Sequence, residues 1–408
     1  MTMNEQQIAN DHQNWWQMST IQIGGVICLP VIMVGQALSQ NYGFMSAVVS
    51  IIIGNAILLI LGLVTVKMSV NNRKTTMQNA EEYFGSKGVS FFALAMIISL
   101  VGWFGIQLNM MSLGVLDLLS AKESKESWLL LLNISLGLLI TFVALRGIKA
   151  FTILANLSLP FLLMTLGYAI YTVDPKEIIL ESIPFSFAGT SLVIALAIAM
   201  VTDLPTYYRH AKTPKDGLIS ISIIFALILP ILEIVGVYLA SGNSEGSILD
   251  VLKRDNEFLW NSWVALFLVL AGWTTNNLNL YSSAICLQSI MKKIPEKSAT
   301  LYVGIAGTFL SCFNLLEHLE FVLDVVGIFI ASMGSVVISR FLAAEYFGLM
   351  LTPKDHSKSL IAWTIGIAVG FISISGYSLT SIALLDAVLG AFIGTILTVN
   401  RKELYEKA

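Results

Sequence analysis

Seven consecutive residues, Trp273 to Asn279, place two hydroxyls and three amides inside the apolar stretch 258–290. Unsatisfied polar groups in hydrocarbon cost several kcal/mol each, so such side chains normally face a protein interior or a wet cavity. Thr274 and Thr275 offer adjacent hydroxyl oxygens, the ligand type that a hard cation prefers. Asn276 and Asn279 share a helical face and could read a small polar solute. Alternatively, the threonines bond their own helix carbonyls and the asparagines join helices.

A second group of residues that could bind a solute lies at Val101–Gln107. Trp103 and Gln107 are four residues apart and share a helix face. An indole beside an amide suits a flat heterocycle, because the ring stacks and the amide both donates and accepts. Gly102 and Gly105 would let another backbone approach. The alternative is a packing tryptophan with an interhelical amide bond.

The composition identifies a polytopic membrane protein. Of 408 residues, 56% are hydrophobic and only 12% are charged, whereas soluble domains carry about 25% charge. The net charge of -3 gives no indication of nucleic-acid binding. The three cysteines all lie in apolar segments and suggest neither a disulfide framework nor a metal site.

Twelve membrane spans are predicted from apolar stretches of about 20 residues. They begin near residues 20, 44, 90, 128, 150, 186, 217, 258, 298, 321, 359 and 379. An even count places both termini on one side. Of the 23 Lys and Arg residues, 18 lie in the even-numbered gaps and at the C-terminus, and five lie in the opposite loops. The positive-inside rule therefore predicts cytoplasmic termini.

Two of these spans are expected to be interrupted. Pro30 follows Gly24 and Gly25 in the first span and should free a carbonyl in mid-membrane. The sixth span opens with the weak helix start Pro184–Ser191. Broken helices five spans apart are typical of secondary transporters built from inverted repeats, although Pro and Gly are also common in ordinary membrane helices.

Ionisable residues inside the predicted spans are few. Glu233 in span 7 is either a proton carrier or structural, and Asp386 lies in span 12. His210 is expected at the surface of a basic loop. A membrane enzyme would need a nucleophile with a base, or paired acids at membrane depth. No His lies in a span and no paired His ligands occur, so we expect no catalysis.

Four motifs together resemble the nucleobase–cation symporter family, and most of all its bacterial cytosine permease branch. Phe84–Gly88 followed by Val101–Gly105 is similar to FG-x-KG and VGWFG, and Arg146–Ala150 with Pro160 is similar to GI-x-A with a later proline. The third and fourth are D-x5-R-x-AK at 203–212 and WTTN-x3-LY at 273–281.

The resemblance implies roles for individual residues. Trp103 would stack on the nucleobase, and Gln107 and Asn276 would hydrogen-bond to it. Thr274 and Thr275 would supply hydroxyls to a sodium ion. The carbonyls of Ala271, Leu29 and Ile32 would complete that site.

The chain departs from the cytosine branch in span 6. That branch has an aromatic residue in mid-span, where this sequence aligns Ile194 within an aliphatic run. Phe185 and Phe187 are the candidates to replace it. Leu100 stands where that branch has glutamine. The expected pocket is therefore wider or more apolar, which puts cytosine itself in question.

The expected fold is all-α, with twelve transmembrane helices in a leucine-transporter-type 5+5 inverted repeat plus two helices. The predicted parts are a cytoplasmic tail 1–19, repeats 20–172 and 184–350, two extra helices 358–400 and a cytoplasmic tail 401–408. The expected function is cation-coupled import of a nucleobase-like heterocycle across the inner membrane, with sodium as coupling ion and no other cofactor. The alternatives are proton coupling and an amino-acid symporter on the same fold.

Overall fold

The computed structural model describes residues 12–118, 125–172, 187–242, 248–254, 256–313, 319–347 and 355–398. Within these ranges the chain forms helices and turns, together with an isolated bridge between Gln13 and Ala211. The all-α prediction is confirmed. Most of both predicted tails lies outside the described residues, as does Phe185.

Each predicted span overlaps a helical segment, and we number the segments accordingly. They are spans 1a (Trp15–Val26), 1b (Leu29–Tyr42), 2 (Phe44–Asn72), 3 (Thr76–Leu118), 4 (Lys125–Ala144), 5 (Ile148–Thr172) and 6 (Phe187–Tyr208), then 7 (Pro214–Gly242, with a π-helical turn at Ile224–Ile228), 8 (Phe258–Ile290), 9 (Glu296–Leu310), 10 (Leu319–Phe347), 11 (Asp355–Ile374) and 12 (Ala383–Thr398). A short helix, Ile248–Leu252, precedes span 8.

Nine of the described helices are long and apolar enough to cross a membrane, and the bent pair of spans 1a and 1b would be a tenth. Spans 9 and 12 are shorter, at 15 and 16 residues. The lengths therefore agree with the twelve-span prediction without establishing the count.

Span 1 breaks where the sequence predicts. Spans 1a and 1b are bent by 60°, and Cys28 between them is extended, with φ -143° and ψ 160°. Pro30 has no N–H to donate to Val26, and the Val26 carbonyl instead accepts from the Cys28 amide at 2.9 Å. The break leaves the carbonyls of the last turn of span 1a without their helical donors.

Span 6 does not have the weak start that we expected. The helix is already formed at Phe187, so the prediction is wrong for residues 187–191, while 184–186 lie outside the described residues. Gly189 instead allows span 6 to pack closely against its neighbours. A Cβ on Gly189 would lie 2.7 Å from the Ser50 Oγ and 3.1 Å from the Leu38 side chain.

A glycine bend explains the Phe84–Gly88 motif in the first part of span 3. Gly85 has φ 69° inside the helix Thr76–Leu118, a conformation that glycine adopts without a Cβ penalty. The first turns of this segment thus run in a different direction from the membrane-crossing part.

The helix pairings follow the symmetry of a five-span repeat. Span 3 packs along span 8, span 4 along span 9, span 2 along span 6, and span 7 along span 1b. Exchanging each span with the one five positions away maps this set onto itself. The contacts therefore relate spans 1–5 to spans 6–10, with spans 11 and 12 packed on each other and on span 10.

The crossing of spans 1b and 7 depends on two glycines. A Cβ on Gly35 would collide with the carbonyl oxygen of Glu233, and one on Gly236 would collide with that of Ile32. Both obstacles are backbone atoms of packed helices, which cannot yield as a flexible side chain does. Spans 1b and 7 consequently form one close-packed unit.

We predict that Gly236→Ala destabilises the protein by about 1–3 kcal/mol or more, the usual range for overpacking. Gly167→Ala is the matched control, because nothing lies within 4 Å of the added methyl group. Thermal unfolding of the purified variants would measure the difference. Equal stability of the two would contradict the close crossing.

Candidate functional site

The break in span 1 lies against the polar residues Trp273–Asn279 of span 8, which we call the polar run. The Thr275 hydroxyl donates to the Gly25 carbonyl at 2.7 Å, across the two helices. In an unbroken helix that carbonyl would accept from the amide of residue 29. The break thus leaves the Gly25 carbonyl without its helical donor, and the Thr275 hydroxyl of span 8 donates to it instead.

Thr274 and Ala271 lie at the same place. The Thr274 hydroxyl donates to the Ala271 carbonyl at 2.9 Å, and the Thr275 hydroxyl reaches the same carbonyl at 3.1 Å. Thr275 thus contacts both the Gly25 carbonyl of span 1a and the Ala271 carbonyl, and Thr274 shares the latter. Both hydroxyls currently donate to carbonyls, so the alternative interpretation, hydroxyls bonded to helix carbonyls, also describes this state.

Leu29 and Ile32 lie elsewhere on span 1. Leu29 is the first residue of span 1b, and the Ile32 carbonyl faces Gly236 of span 7. The oxygen beside Thr275 belongs to Gly25, one helical turn earlier than Leu29. Sequence reasoning missed Gly25, although the Gly24–Gly25 pair before Pro30 marked the place where the helix ends.

Gln107 is buried next to the same break. It lines a void of about 10 Å³ together with Cys28, Leu29, Pro30 and Gly272. Its side chain is 5% exposed, and its Oε1 atom has no hydrogen-bond partner. The amide therefore has an unused acceptor directed into the junction of spans 1, 3 and 8.

Trp103 faces a different neighbouring space. It is half-buried and lines a void of about 30 Å³ between spans 3, 6 and 10. The walls are almost wholly apolar, with Ile106, Ala195, Ile198 and Ile330 among them. This volume holds about one water molecule, so the space beside the indole is nearly closed in this conformation.

Span 6 presents small and aliphatic residues to Trp103. Ile194 is 2% exposed and is not among the residues that line the void, whereas Ala195, Ile198 and Ala199 are. Phe187 begins the helix and is 49% exposed. The structure does not bring Ile194 or Phe187 to the indole face.

Asn276 and Asn279 connect span 8 to span 3. The Asn276 Nδ2 donates to the Phe104 carbonyl at 3.3 Å, and the Asn279 Nδ2 donates to the Asn276 Oδ1 at 3.3 Å. Asn276 is fully buried. These two hydrogen bonds link Asn279 through Asn276 to Phe104, which is next to Trp103 in span 3. They connect the helix that carries the threonine pair to the helix that carries the indole.

The polar run also contains residues that sequence reasoning had not assigned. Asn277 is 1% exposed, yet neither of its amide atoms has a partner, and the Trp273 Nε1 likewise lacks one. Buried polar groups without partners are rare in folded proteins. Their concentration around the polar run makes this part of the described chain a candidate binding region.

A hydrogen-bond network joins the C-terminal halves of spans 6 and 8. The Ser282 hydroxyl donates to the Asp203 carboxylate, and Tyr207 bonds to Ser282 at 2.7 Å and donates to the Leu278 carbonyl at 2.8 Å. The Thr206 hydroxyl donates to Asp203 at 2.7 Å. These bonds hold spans 6 and 8 together between the polar run and the side of the protein where the N-terminus lies.

A second layer seals that side. Gln13 pairs with the loop after span 6 through its amide to the His210 carbonyl at 2.8 Å, and the Lys212 amide donates to the Gln13 carbonyl at 2.7 Å. Arg73 at the end of span 2 donates to the carbonyls of Arg209 and Ala211. His210 is 5% exposed, so the expectation that it lies at the surface is wrong. The backbone at Gln13, bridged to Ala211, and the Arg73 side chain lie against this loop.

Comparison with known protein families gives one match over nearly the whole chain. The family described as "Permease for cytosine/purines, uracil, thiamine, allantoin" matches residues 7–394. The cytosine permease of Escherichia coli (strain K12) is 25% identical over 389 residues, which cover 90% of this chain and 87% of that protein.

Solved structures show the same fold. Mhp1, a nucleobase-cation-symport-1 family transporter in a closed conformation with bromovinylhydantoin bound, gives a TM-score of 0.79 at 15% identity, covering 98% of this chain and 94% of that one. The inward-facing conformation of Mhp1 gives 0.70 at 17% identity, with 93% and 90% covered. A Na+-coupled sialic acid symporter gives 0.72 at 14% identity, with 96% and 90% covered.

We predict that acid destabilises the protein through His210, which lies in the closure on the side of the N-terminus. Burial, and then the nearby Arg209, lower the pKa of His210 to about 3, against about 6.5 for an unperturbed histidine. The unfolded chain therefore binds a proton that the folded chain does not. This contribution to stability is complete above about pH 6.5 and falls as the pH drops below it, by roughly 2 kcal/mol at most by pH 5.

The control for this prediction is His210→Gln, which keeps a polar side chain of similar length but cannot titrate. Thermal unfolding of both proteins between pH 7.5 and pH 5 isolates the contribution of the histidine. The wild type should lose more stability than the variant. Parallel pH profiles would show that His210 is accessible to protons in the folded state.

Proposed function

The chain belongs to the family of permeases for cytosine/purines, uracil, thiamine and allantoin, and we propose that it is a sodium-coupled symporter for a nucleobase or related heterocycle. The protein is an integral membrane transporter with the leucine-transporter-type fold. The fold alone does not choose the solute, since a sialic acid symporter shares it. The choice of solute and ion depends on the residues at the break in span 1.

The observation that carries the proposal is the 2.7 Å contact between the Thr275 hydroxyl and the Gly25 carbonyl. Sodium would bind where these oxygens converge, with the Ala271 carbonyl and the Thr274 hydroxyl as further ligands. In this proposal the Gly25 carbonyl is the sodium ligand from span 1, the role that the family resemblance implied for the carbonyls of Leu29 and Ile32. On binding, each hydroxyl would turn its hydrogen away and present an oxygen lone pair to the ion.

The heterocycle would bind between Trp103, Gln107, Asn276 and Asn279. The indole offers a stacking face, and the unpaired Gln107 Oε1 offers an acceptor. Asn276 would exchange its long bond to the Phe104 carbonyl for a bond to the solute. Spans 6 and 10 must move away from Trp103 to admit a ring, because the present void holds about one water molecule.

Ion and solute would share one stretch of helix. Thr275 and Asn276 are adjacent in span 8, so an ion that fixes the span 1–span 8 contact also fixes the amide that reads the solute. Each ligand would then bind better in the presence of the other, as thermodynamic coupling requires. Release toward the N-terminal side would follow when the Asp203 and Arg73 contacts open.

A proton-coupled cycle and an amino-acid solute are the alternatives within the fold. An amino acid needs charged-group partners at the broken helix, whereas the side chains here are an indole and neutral amides. We also propose that the protein lies in the inner membrane with both termini in the cytoplasm, which the distribution of the 23 Lys and Arg residues supports.

We predict that Thr275→Val weakens the sodium dependence of uptake at least tenfold, while solute binding at saturating sodium changes less. Valine nearly keeps the shape and removes the oxygen that contacts Gly25. Initial uptake rates into proteoliposomes, measured over a range of sodium concentrations, give the apparent sodium affinity. Thr308→Val is the control, because that buried hydroxyl bonds its own helix at the Gly304 carbonyl, 2.8 Å away. An unchanged sodium affinity in Thr275→Val would remove the residue from the ion site.

We further predict that free nucleobases or hydantoin-like rings compete for uptake and that nucleosides and leucine do not. A site that hydrogen-bonds its solute discriminates strongly against compounds lacking the matching group. Trp103→Ala should abolish uptake while the protein still reaches the membrane. Competition with cytosine, uracil, hypoxanthine, hydantoin, cytidine and leucine measures the specificity.

Two results would contradict the assigned solute class. Inhibition by leucine but by none of the rings would favour the amino-acid alternative. Wild-type affinity in Trp103→Ala would show that the indole only packs.

A further inference from the structure

Glu233 is a buried carboxyl group outside the proposed symport site. It lies in the second half of span 7 and is 1% exposed. Its side chain has one hydrogen-bond donor in the described structure, the Asn55 Nδ2 of span 2 at 2.6 Å. An ionised carboxylate at membrane depth with a single neutral donor is strongly disfavoured, and neutralisation by a proton is the usual remedy.

The hydrogen-bond inventory of Asn55 leads to the same conclusion. Both hydrogens of Nδ2 are used, one for Glu233 and one for the Ile51 carbonyl at 3.0 Å. The Oδ1 atom is buried and has no partner. A carboxylate cannot donate to it, whereas a carboxylic acid can. If the amide were turned over, Oδ1 would face Glu233, and a proton between the two oxygens would again be required.

No charged side chain of the described residues compensates Glu233. Besides Glu233, the titratable side chains that the structure describes on span 7b (Leu229–Gly242) and on the elements packed against it are Tyr238, Tyr42, Lys67, Tyr168, Tyr171 and Asp250. None of these side chains bonds or pairs with Glu233. The side chain of Lys149, at the start of span 5, lies outside the described ones. Lys67, the cation of span 2, is twelve residues from Asn55, about 18 Å along the helix.

Asp386 shows what a buried carboxylate that stays ionised requires. It is also fully buried, but it accepts five hydrogen bonds. They come from Ser373 Oγ at 2.8 Å, Ser378 Oγ at 2.6 Å, the Leu379 amide at 2.9 Å, the Thr380 amide at 3.0 Å and Thr380 Oγ1 at 2.7 Å. This set of donors satisfies a negative charge, and Glu233 has one.

The surroundings of the pair connect it to the moving parts of the transporter. Asn55 joins span 2 to span 7, and Gly35 packs span 1b against the Glu233 backbone. Ser50 of span 2 and Thr190 of span 6 are fully buried with unpaired hydroxyls. Ser50 and Thr190 lie in the first two turns of spans 2 and 6, toward the side opposite the N-terminal closure.

We propose that Glu233 is a proton-binding site, distinct from the proposed sodium and heterocycle site, whose bound proton completes the hydrogen bonds to Asn55. The proton thereby holds span 2 against span 7, which the glycine crossing already joins to span 1b. Loss of the proton places an uncompensated charge between spans 2 and 7 and loosens their contact. Transport then becomes sensitive to pH on the side opposite the termini, whichever ion drives the cycle.

Infrared spectroscopy of the protein in lipid tests the assignment without any transport substrate. Glu233→Gln is close in shape to the protonated acid and cannot lose a proton. At neutral pH the wild-type spectrum should contain a carboxylic-acid C=O band that the variant lacks, and raising the pH should abolish it. Asp386→Asn is the matched control and should leave the acid band unchanged.

Thermal unfolding supplies a second readout. The wild type should lose stability as the pH rises, because its folded state binds a proton that the unfolded chain releases. Glu233→Gln should be as stable as the wild type at low pH and should lose this dependence, while Asp386→Asn should be destabilised. An acid band that persists in Glu233→Gln, or a destabilised Glu233→Gln with the wild-type pH profile, would overturn the proposal.

A variant that keeps the carboxyl group covers the case in which Glu233→Gln does not accumulate. Asn55→Leu removes the amide partner and should shift the acid band toward that of an unbonded acid. An unchanged band would overturn the proposal. Because neither readout uses sodium or a heterocycle, the proton site and the symport function can fail independently.

Discussion

The structure depends on a backbone carbonyl that has no helical donor in the interior of a membrane protein. Every polar backbone group at that depth must be satisfied inside the protein. Span 1 ends at Val26 and begins again at Leu29, and the hydroxyl of Thr275 satisfies the Gly25 carbonyl. The requirement brings span 8 against span 1, and the amides of span 8 then meet span 3 at Phe104.

This arrangement separates the protein into rigid and movable contacts. Spans 1b and 7 cross through Gly35 and Gly236 with no room for a side chain, so they move together. The contacts that close the N-terminal side are hydrogen bonds made by Asp203, Arg73 and Gln13. Hydrogen bonds of this kind exchange with water at a small net cost, whereas the backbone packing of two helices cannot be remade in another register.

The sequence predicted the parts of this arrangement that follow from single-residue chemistry. Hydropathy located the helices, Pro30 located the break, and the motifs indicated the family. It could not place the carbonyl, because Gly25 precedes the break and Leu29 follows it, and only the positions of spans 1a and 1b against span 8 decide which of them meets Thr275. The stretch around Gly189 was expected to start span 6 weakly, but there the missing Cβ lets span 6 approach Ser50. His210 was expected at the surface of its loop, but it is buried beside the bridge between Gln13 and Ala211. These outcomes depend on neighbours that are distant in the sequence.

If the broken span 1 couples a sodium ion to a flat heterocycle, as we propose, binding of the ring must depend on sodium. The decisive measurement is thermal unfolding of the purified protein with and without cytosine, in sodium chloride and in potassium chloride of equal ionic strength, with uracil, hypoxanthine and hydantoin alongside. At least one ring should raise the unfolding temperature in sodium and have little effect in potassium, because each ligand strengthens the binding of the other. An equal shift in the two salts, or no shift with any ring, would show that span 1 does not couple them.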